Sequence, residues 1–303
     1  MRRALLALLA STAGVAGART GAAQANYDTV QVRPQKLTDR LYVLFGAGGN
    51  IGVSIGDDGA FIVDDQFAPL SGKIRAAVAA LTNKPIRFVI NTHWHGDHSG
   101  GNANFGRAGA VIIAHDNVRK RMSTEQVRGS NRTPPSPREA LPVVTFADAL
   151  TLHLNGDAVR LIHLPPSHTD GDALIHFPGD NAIHMGDTFF VGRYPFVDVN
   201  SGGSFEGVIA AADAALAVAN DQTRIIPGHG AVSTRADLQE YRRVLALIRD
   251  RIKALVLQGK TLKEVADAKV TAEFDATFGR GFINPDAFLD VAYNDLWAKY
   301  GRR

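Results

Sequence analysis

A chain of 303 residues with 45% hydrophobic and 21% charged side chains has the composition of a folded globular protein, which excludes a disordered or low-complexity chain. It contains no cysteine, so neither disulfides nor thiolate metal ligands are available. The 33 basic side chains outnumber the 30 acidic ones only because Arg2, Arg3 and Arg19 fall in the first 25 residues; the remainder is neutral and carries no basic footprint for nucleic acid.

Arg2 and Arg3 precede an apolar run from Ala4 to about Ala18, and Ala23-Gln24-Ala25 provides a small-x-small site. That is the order of a secretory signal peptide, residues 1–25, cleaved near Ala25; an uncleaved amphipathic anchor is the alternative. The run is too short and Gly-broken for a membrane span. The expected product is a periplasmic or secreted chain, residues 26–303, forming a single domain with C-terminal helices from about 233 and no stable membrane anchor.

From Leu37 to Asp65, short β-type runs (Leu41 to Phe45, Ile51 to Ile55, Phe61 to Asp64) alternate with Gly, predicting a meander whose tip, Gly46 to Asn50, is either a plain turn or a flap. A helix is expected over Pro69 to Leu81, with Ile74, Ala77, Val78 and Leu81 on one face, followed by a strand over Ile86 to Ile90. That strand delivers Asn91-Thr-His-Trp-His-Gly-Asp-His-Ser-Gly-Gly-Asn102. Imidazole and carboxylate are the ligands zinc takes when thiolate is absent, and an extended segment would let His93, His95 and Asp97 converge. His98 breaks the alternation and faces a neighbouring position, so two adjacent metals fit better than one.

Ala110 to Ala114 predicts another buried strand. The stretch 117–138, with Arg119, Lys120, Arg121, Arg128, Arg132 and Arg138 against Glu125 alone, reads as an excursion, either a solvated helix and loop or a basic rim for anionic substrates. Strands return from Val143 to Met185. Three more strand ends carry a ligand type on a turn: His168 after Leu164, Asp187 after Met185 and His229 after Ile226. A helix is expected from Ser204 to Ala219 between the last two. Capping patterns at Thr234/Asp237 and Thr261/Glu264, and Asn284-Pro285, start three C-terminal helices that cover the sheet without carrying chemistry. Phe189 to Phe196 follows Asp187 and either packs its loop or lines a substrate pocket, with Phe190 as apolar surface, Arg193 as carboxylate anchor and Tyr194 as a donor to the tetrahedral oxyanion. His115, His153, His163, His176 and His184 are unassigned; for His184 the reading is a strand imidazole with a backbone partner.

Thr92-His-Trp-His-Gly-Asp-His98, Pro166-Ser-His-Thr-Asp-Gly-Asp172, Met185-Gly-Asp-Thr188 and Pro227-Gly-His-Gly230, in this order, resemble the metallo-β-lactamase superfamily from about Leu37 to Leu255. The resemblance implies an α/β (α+β) fold, a four-layer αβ/βα sandwich of two mixed β-sheets with helices on both outer faces. It implies two Zn2+ per chain, with iron or manganese as alternatives: His93, His95 and His168 on the first, Asp97, His98 and His229 on the second, and Asp187 between them. Asp97 would also orient and deprotonate the nucleophile. The expected function is a dinuclear zinc hydrolase opening a cyclic amide or ester, β-lactam or lactone, by metal-bound hydroxide. Family β-lactamases carry Cys or Ser at the position of Asp187, which looks more like glyoxalase-type thioesterases and lactonases, so a thioester hydrolase is the alternative. A metal-binding periplasmic interaction module is the non-enzyme alternative. His95 stands where redox members carry Glu and speaks for hydrolysis. The expected partner is a small-molecule substrate, not nucleic acid, and the sequence carries no mark of oligomeric state.

Overall fold

The computed structural model describes residues 26–128 and 131–301; the expected signal peptide lies outside them. In chain order the strands are β1 (Arg33–Lys36), β2 (Leu41–Phe45), β3 (Ile51–Gly56), β4 (Gly59–Val63), β5 (Ile86–Ile90), β6 (Val111–His115), β7 (Gln126–Arg128), β8 (Asn131–Thr133), β9 (Val144–Phe146), β10 (Ala149–Leu154), β11 (Asp157–His163), β12 (Ala173–Phe177), β13 (Ala182–Phe190), β14 (Arg224–His229) and β15 (Ser233–Thr234). The helices are α1 (Ser71–Ala79), α2 (Gly96–Ser99), α3 (Asn102–Arg107), α4 (Asp116–Met122), α5 (Phe205–Val218), α6 (Arg235–Leu257), α7 (Leu262–Asp267), α8 (Ala272–Phe278) and α9 (Pro285–Tyr300).

Two mixed sheets result. The first runs β1-β2-β3-β4-β5-β6-β9, antiparallel up to β4 and parallel beyond it. The second runs β10-β11-β12-β13-β14-β15, with β13 and β14 parallel. Period-2 alternation explains the layering. In β4, Phe61 and Val63 face the second sheet, joining Val159, Leu161, Ile175 and Phe177, while Ala60 and Ile62 face the α1 side with Ile74 and Val78. Across the second sheet, Leu174, Ile183 and Ile225 turn outward onto α5, α6 and α9. Helices therefore cover both outer faces.

The helix starts fall where the sequence anticipates them. Ser204 accepts from Gly207 N to start α5, Thr234 and Thr261 form capping boxes with Asp237 and Glu264, and Asn284 caps α9 ahead of Pro285. Four boundaries differ. The expected first helix begins as a 3-10 turn at Ala68–Leu70, and α8 was not anticipated. β13 runs on to Phe190 through irregular pairing, so Asp187 lies within the strand rather than after it. The fourth concerns the metal motif: the chain leaves β5 as an irregular turn and then forms α2, so Asp97 sits on a helical turn. Asp97 consequently does not converge with His93 and His95 by strand alternation.

Within the basic excursion, α4 and the β7–β8 hairpin take up several charges. Arg121 makes a two-point bond to Asp170, Arg119 donates to Pro142 O and Arg132 pairs with Glu125. The Gly46–Asn50 tip is a floor, not a flap: Gly49 N donates to Asp97 O at 3.0 Å and Asn50 N to Gly228 O at 2.6 Å. No helix among the described residues is long and apolar enough to cross a membrane.

Candidate metal centre

Each imidazole is aimed by what its far nitrogen touches. At the end of β4, Asp64 is fully buried at φ 65° and accepts from Thr92 N and Thr92 Oγ1, both at 2.8 Å, fixing the turn that follows β5. Its Oδ2 also lies 2.7 Å from His98 Nδ1. His168 points Nδ1 at Phe196 O, 2.7 Å away, and His95 points Nε2 at Asp198 Oδ2, 2.9 Å away. A carbonyl and a carboxylate can only accept, so those ring nitrogens carry the hydrogens and the opposite nitrogens present lone pairs. Asn91 and Asn102 exchange side-chain amide bonds at 3.0 and 2.8 Å, closing the loop that holds the motif.

The lone pairs converge. His168 Nε2 and His95 Nδ1 are 2.9 Å apart, and buried His93 Nε2 has no hydrogen-bond partner. Burial drives the His168 pKa down to about 4 and pulls that of His93 well below its ordinary value. Ring nitrogens that face each other through lone pairs do not form a hydrogen bond; this arrangement fits a shared cation. On the other side, His98 Nε2 lies 3.3 Å from His229 Nε2, 3.2 Å from Asp187 Oδ1 and 3.6 Å from Asp97 Oδ2. His229 Nε2 is 3.2 Å from Asp97 Oδ2. Burial disfavours charge on both His98 and His229, yet Asp187 together with Asp64 pushes His98 well above its ordinary range, and Asp187 together with Asp97 pushes His229 up to about 9. The field that favours protons on these rings is one that favours metal cations. Asp187 stays well below the carboxylate range despite its burial, because the charge on His98 and the close approach of the His229 and His98 imidazoles outweigh it.

Three groups of ligand atoms lie mutually within 4.8 Å: His93, His95 and His168; His93, His98 and Asp187; Asp97, His98 and His229. All seven residues marked in the sequence are thus brought together into clusters able to bind metal ions, with Asp187 reaching both sides through Oδ1 and, at 3.6 Å from His168 Nε2, Oδ2. Two glycines allow the close packing. A Cβ on Gly49 would lie 2.2 Å from His98 Cε1, and one on Gly228 would lie 1.8 Å from Asp187 Oδ1.

A cavity of about 690 Å³ opens over Asp187 and His229, walled by Phe67, Trp94, Phe190 and Phe196, with exposed Arg193 at its side. Phe190 lies nearly parallel to His229 and edge-on to His168. Tyr194 requires a correction. Its ring is 1% exposed and stacked on Phe288 at 4.3 Å, and its hydroxyl donates to Asp275 Oδ1 at 2.7 Å, so it is not free to serve a tetrahedral oxyanion. His184 is a strand imidazole with backbone partners, Asn50 O and Gly186 N. Asp64 and Asp198 escaped the sequence reading. Asp64 had a signal, a carboxylate ending the apolar run Phe61 to Val63; Asp198 had none.

Clusters of histidine and carboxylate at the edge of two packed mixed sheets define a metal-binding αβ/βα sandwich. The chain belongs to the metallo-beta-lactamase superfamily, whose family model matches residues 46–257, ending where α6 ends. Among curated relatives it is 30% identical over 141 residues to the 2,4-dinitroanisole O-demethylase subunit alpha of Nocardioides sp. (strain JS1661), covering 45% of this chain and 40% of that protein. It is 28% identical over 143 residues to the hydroxyacylglutathione hydrolase of Gloeobacter violaceus, covering 45% and 50%. The matches therefore span about half or less of these relatives' lengths. Among solved structures, a metallo-beta-lactamase from Pontibacter korlensis superposes with TM-score 0.61 at 15% identity, over 71% of this chain and 99% of that one. The sec-alkylsulfatase Pisa1 from Pseudomonas sp. does so with TM-score 0.67 at 18% identity, over 87% and 50%. At these identities the likeness is one of fold.

Proposed function

We propose that the protein is an exported dinuclear zinc hydrolase that cleaves the acyl bond of a small ester-type substrate, a lactone or a thioester, with the cyclic amide of a β-lactam as the competing substrate. The observation that carries this reading is the 2.9 Å approach of His168 Nε2 and His95 Nδ1 with their far nitrogens engaged by acceptors, beside a second cluster that shares Asp187. Two bound Zn2+ ions would supply a water of lowered pKa and a Lewis acid for the carbonyl. His93, His95 and His168 would hold one ion, Asp97, His98 and His229 the other, and Asp187 would offset the repulsion between them.

The chain's own residues then divide the remaining work. Asp97 is partly exposed to the cavity with its carboxyl below the ordinary range: burial opposes this, and the bond from His229 prevails. With Oδ2 turned to His229 and His98, the other Asp97 oxygen would be left to orient a water and accept a proton. Phe190, Trp94 and Phe196 exclude bulk water from the reacting face, and Arg193 presents a cation to a substrate carboxylate. The ester-type preference is supported by Asp187 and by relatives named hydroxyacylglutathione hydrolases.

The test is a panel of lactones, thioesters and β-lactams on zinc-loaded and chelated protein. Zinc-dependent turnover of an ester or thioester is expected; exclusive β-lactam turnover would reassign the substrate, and inertness toward all of them would favour a metal-binding module. Export belongs to the same proposal: amino-terminal sequencing of protein from the extracytoplasmic fraction should begin at Asn26, and a start at Met1 in a membrane fraction contradicts it.

A further inference from the structure

Helices α7 to α9 lie beyond the 46–257 match to the family, yet the connection between α8 and α9 reaches the cavity. Phe282 and Ile283, in the connection between α8 and α9, line it along with Asp187 and His229. The connection is held in place without help from the Phe282 side chain. Tyr194 N donates to Phe278 O at 3.0 Å, the Tyr194 hydroxyl bonds Asp275, and its ring stacks on Phe288, tying the chain after Asp187 to both helices. Gly281 leaves room for the Arg193 stem, since a Cβ there would meet Arg193 Cδ at 3.0 Å.

Phe282 itself is 89% exposed, so it adds little to the core. Singly exposed apolar residues need no explanation, but this ring stands edge-on to Phe196 at 6.2 Å. Phe196 in turn lies 6.2 Å from His95 at a shallow angle and 5.6 Å edge-on to His168. The rings therefore run in sequence from the metal cluster to the cavity rim, at separations suited to aromatic pairing.

We propose that Phe282 is a specificity-determining residue, forming with Phe196 a subsite for an aryl substituent on the acyl group, so that the substrate class is aryl-substituted acyl compounds. This rests on reading the cavity as the substrate site of the proposed hydrolase. A group seated against the two rings on the cavity side would bury apolar surface that the free protein exposes, with its carboxyl carbon directed along Phe196 toward the clusters.

The experiment compares binding of phenylacetate and acetate to the zinc-loaded full chain by calorimetry, alongside turnover of phenylacetyl and acetyl thioesters. Phenylacetate should bind more tightly than acetate, and Phe282→Ala should reduce that preference about five- to tenfold, leaving acetate binding and zinc content unchanged, while Phe282→Tyr retains the preference. Equal binding of the two acids by the unmodified protein, or an unaltered preference in Phe282→Ala, overturns the proposal. An aryl preference lost in Phe282→Ala with no turnover of any ester, thioester or β-lactam supports the subsite and counts against the hydrolase; thioester turnover with no aryl preference does the reverse.

Discussion

Asp64 Oδ2 and His98 Nδ1 lie 2.7 Å apart in a fully buried contact, and this pairing decides which nitrogen of the His98 ring meets Asp187. A carboxylate behind a ligating imidazole fixes its tautomer and raises its basicity. Asp64→Asn preserves shape and tolerates the φ of 65°, since asparagine visits that region readily. The fold should persist while metal affinity at the His98 cluster falls about 10- to 100-fold in competition with a chelator. Unchanged affinity with an intact circular dichroism spectrum would show that His98 is oriented by other contacts.

Gly49 lies against the same ring. Gly49→Ala would place a methyl 2.2 Å from His98 Cε1, forcing the loop or the ring to move and costing about 1–3 kcal/mol of stability together with metal at that cluster. Gly72→Ala, in the first turn of α1 with nothing within 4 Å, is the control and should stabilise by about 0.4–1 kcal/mol. Denaturant midpoints and zinc content on the pair decide the matter; equal behaviour would show that the floor beneath His98 yields freely.

Tyr194→Phe distinguishes a structural tie from a catalytic hydroxyl. Losing the bond to Asp275 should lower stability by about 0.5–1.5 kcal/mol. On the best panel substrate kcat should change less than about threefold, far below the 10²–10³ loss that follows removal of an oxyanion donor. A loss of that larger size would restore the oxyanion role.

The elements and clusters most legible in the sequence were those set by a local rule. β5 fell at its apolar run, the α6, α7 and α9 starts at their capping residues, and the seven His and Asp positions came together in the clusters able to bind metal ions. Residues whose roles depend on distant packing were not legible. Nothing near Asp198 announces that it meets His95, 103 positions away, and Tyr194 finds Asp275 81 positions on. The conformation of the motif was misread for a related reason: alternation holds only while the strand is paired, and after Ile90 the bonds from Thr92 to Asp64 turn the chain into α2. The C-terminal helices showed only their capping patterns, so Phe282 at the cavity could not be anticipated.

His115 and His163 stack face to face with centroids 3.6 Å apart, and neither belongs to the metal-binding clusters. Burial, then the neighbouring His163, lowers the His115 pKa below its ordinary 6.5, so the folded state binds fewer protons than the unfolded one there. The stability this contributes is complete above 6.5 and is lost as pH falls through the depressed folded value. Between about pH 7 and pH 5, the melting temperature of metal-loaded protein should fall more in the parent than in His163→Phe, which keeps a ring and removes one titrating partner. Parallel curves would mean that the stack carries no share of acid destabilisation.

The central claim is that Asp187 joins two metal positions, and metal content per chain after mild chelation tests it most directly. Its carboxylate contacts His98, His229 and, through Oδ2, His168, with Gly228 closing off the space behind Oδ1. Asp187→Asn keeps the shape and removes the charge that offsets repulsion between two dications, while one ion retains the three imidazoles of His93, His95 and His168. The parent should keep two zinc ions per chain and Asp187→Asn one, with an unchanged circular dichroism spectrum and most turnover lost. Two tightly held metals and near-normal turnover in Asp187→Asn would contradict the shared carboxylate and the two-metal mechanism with it.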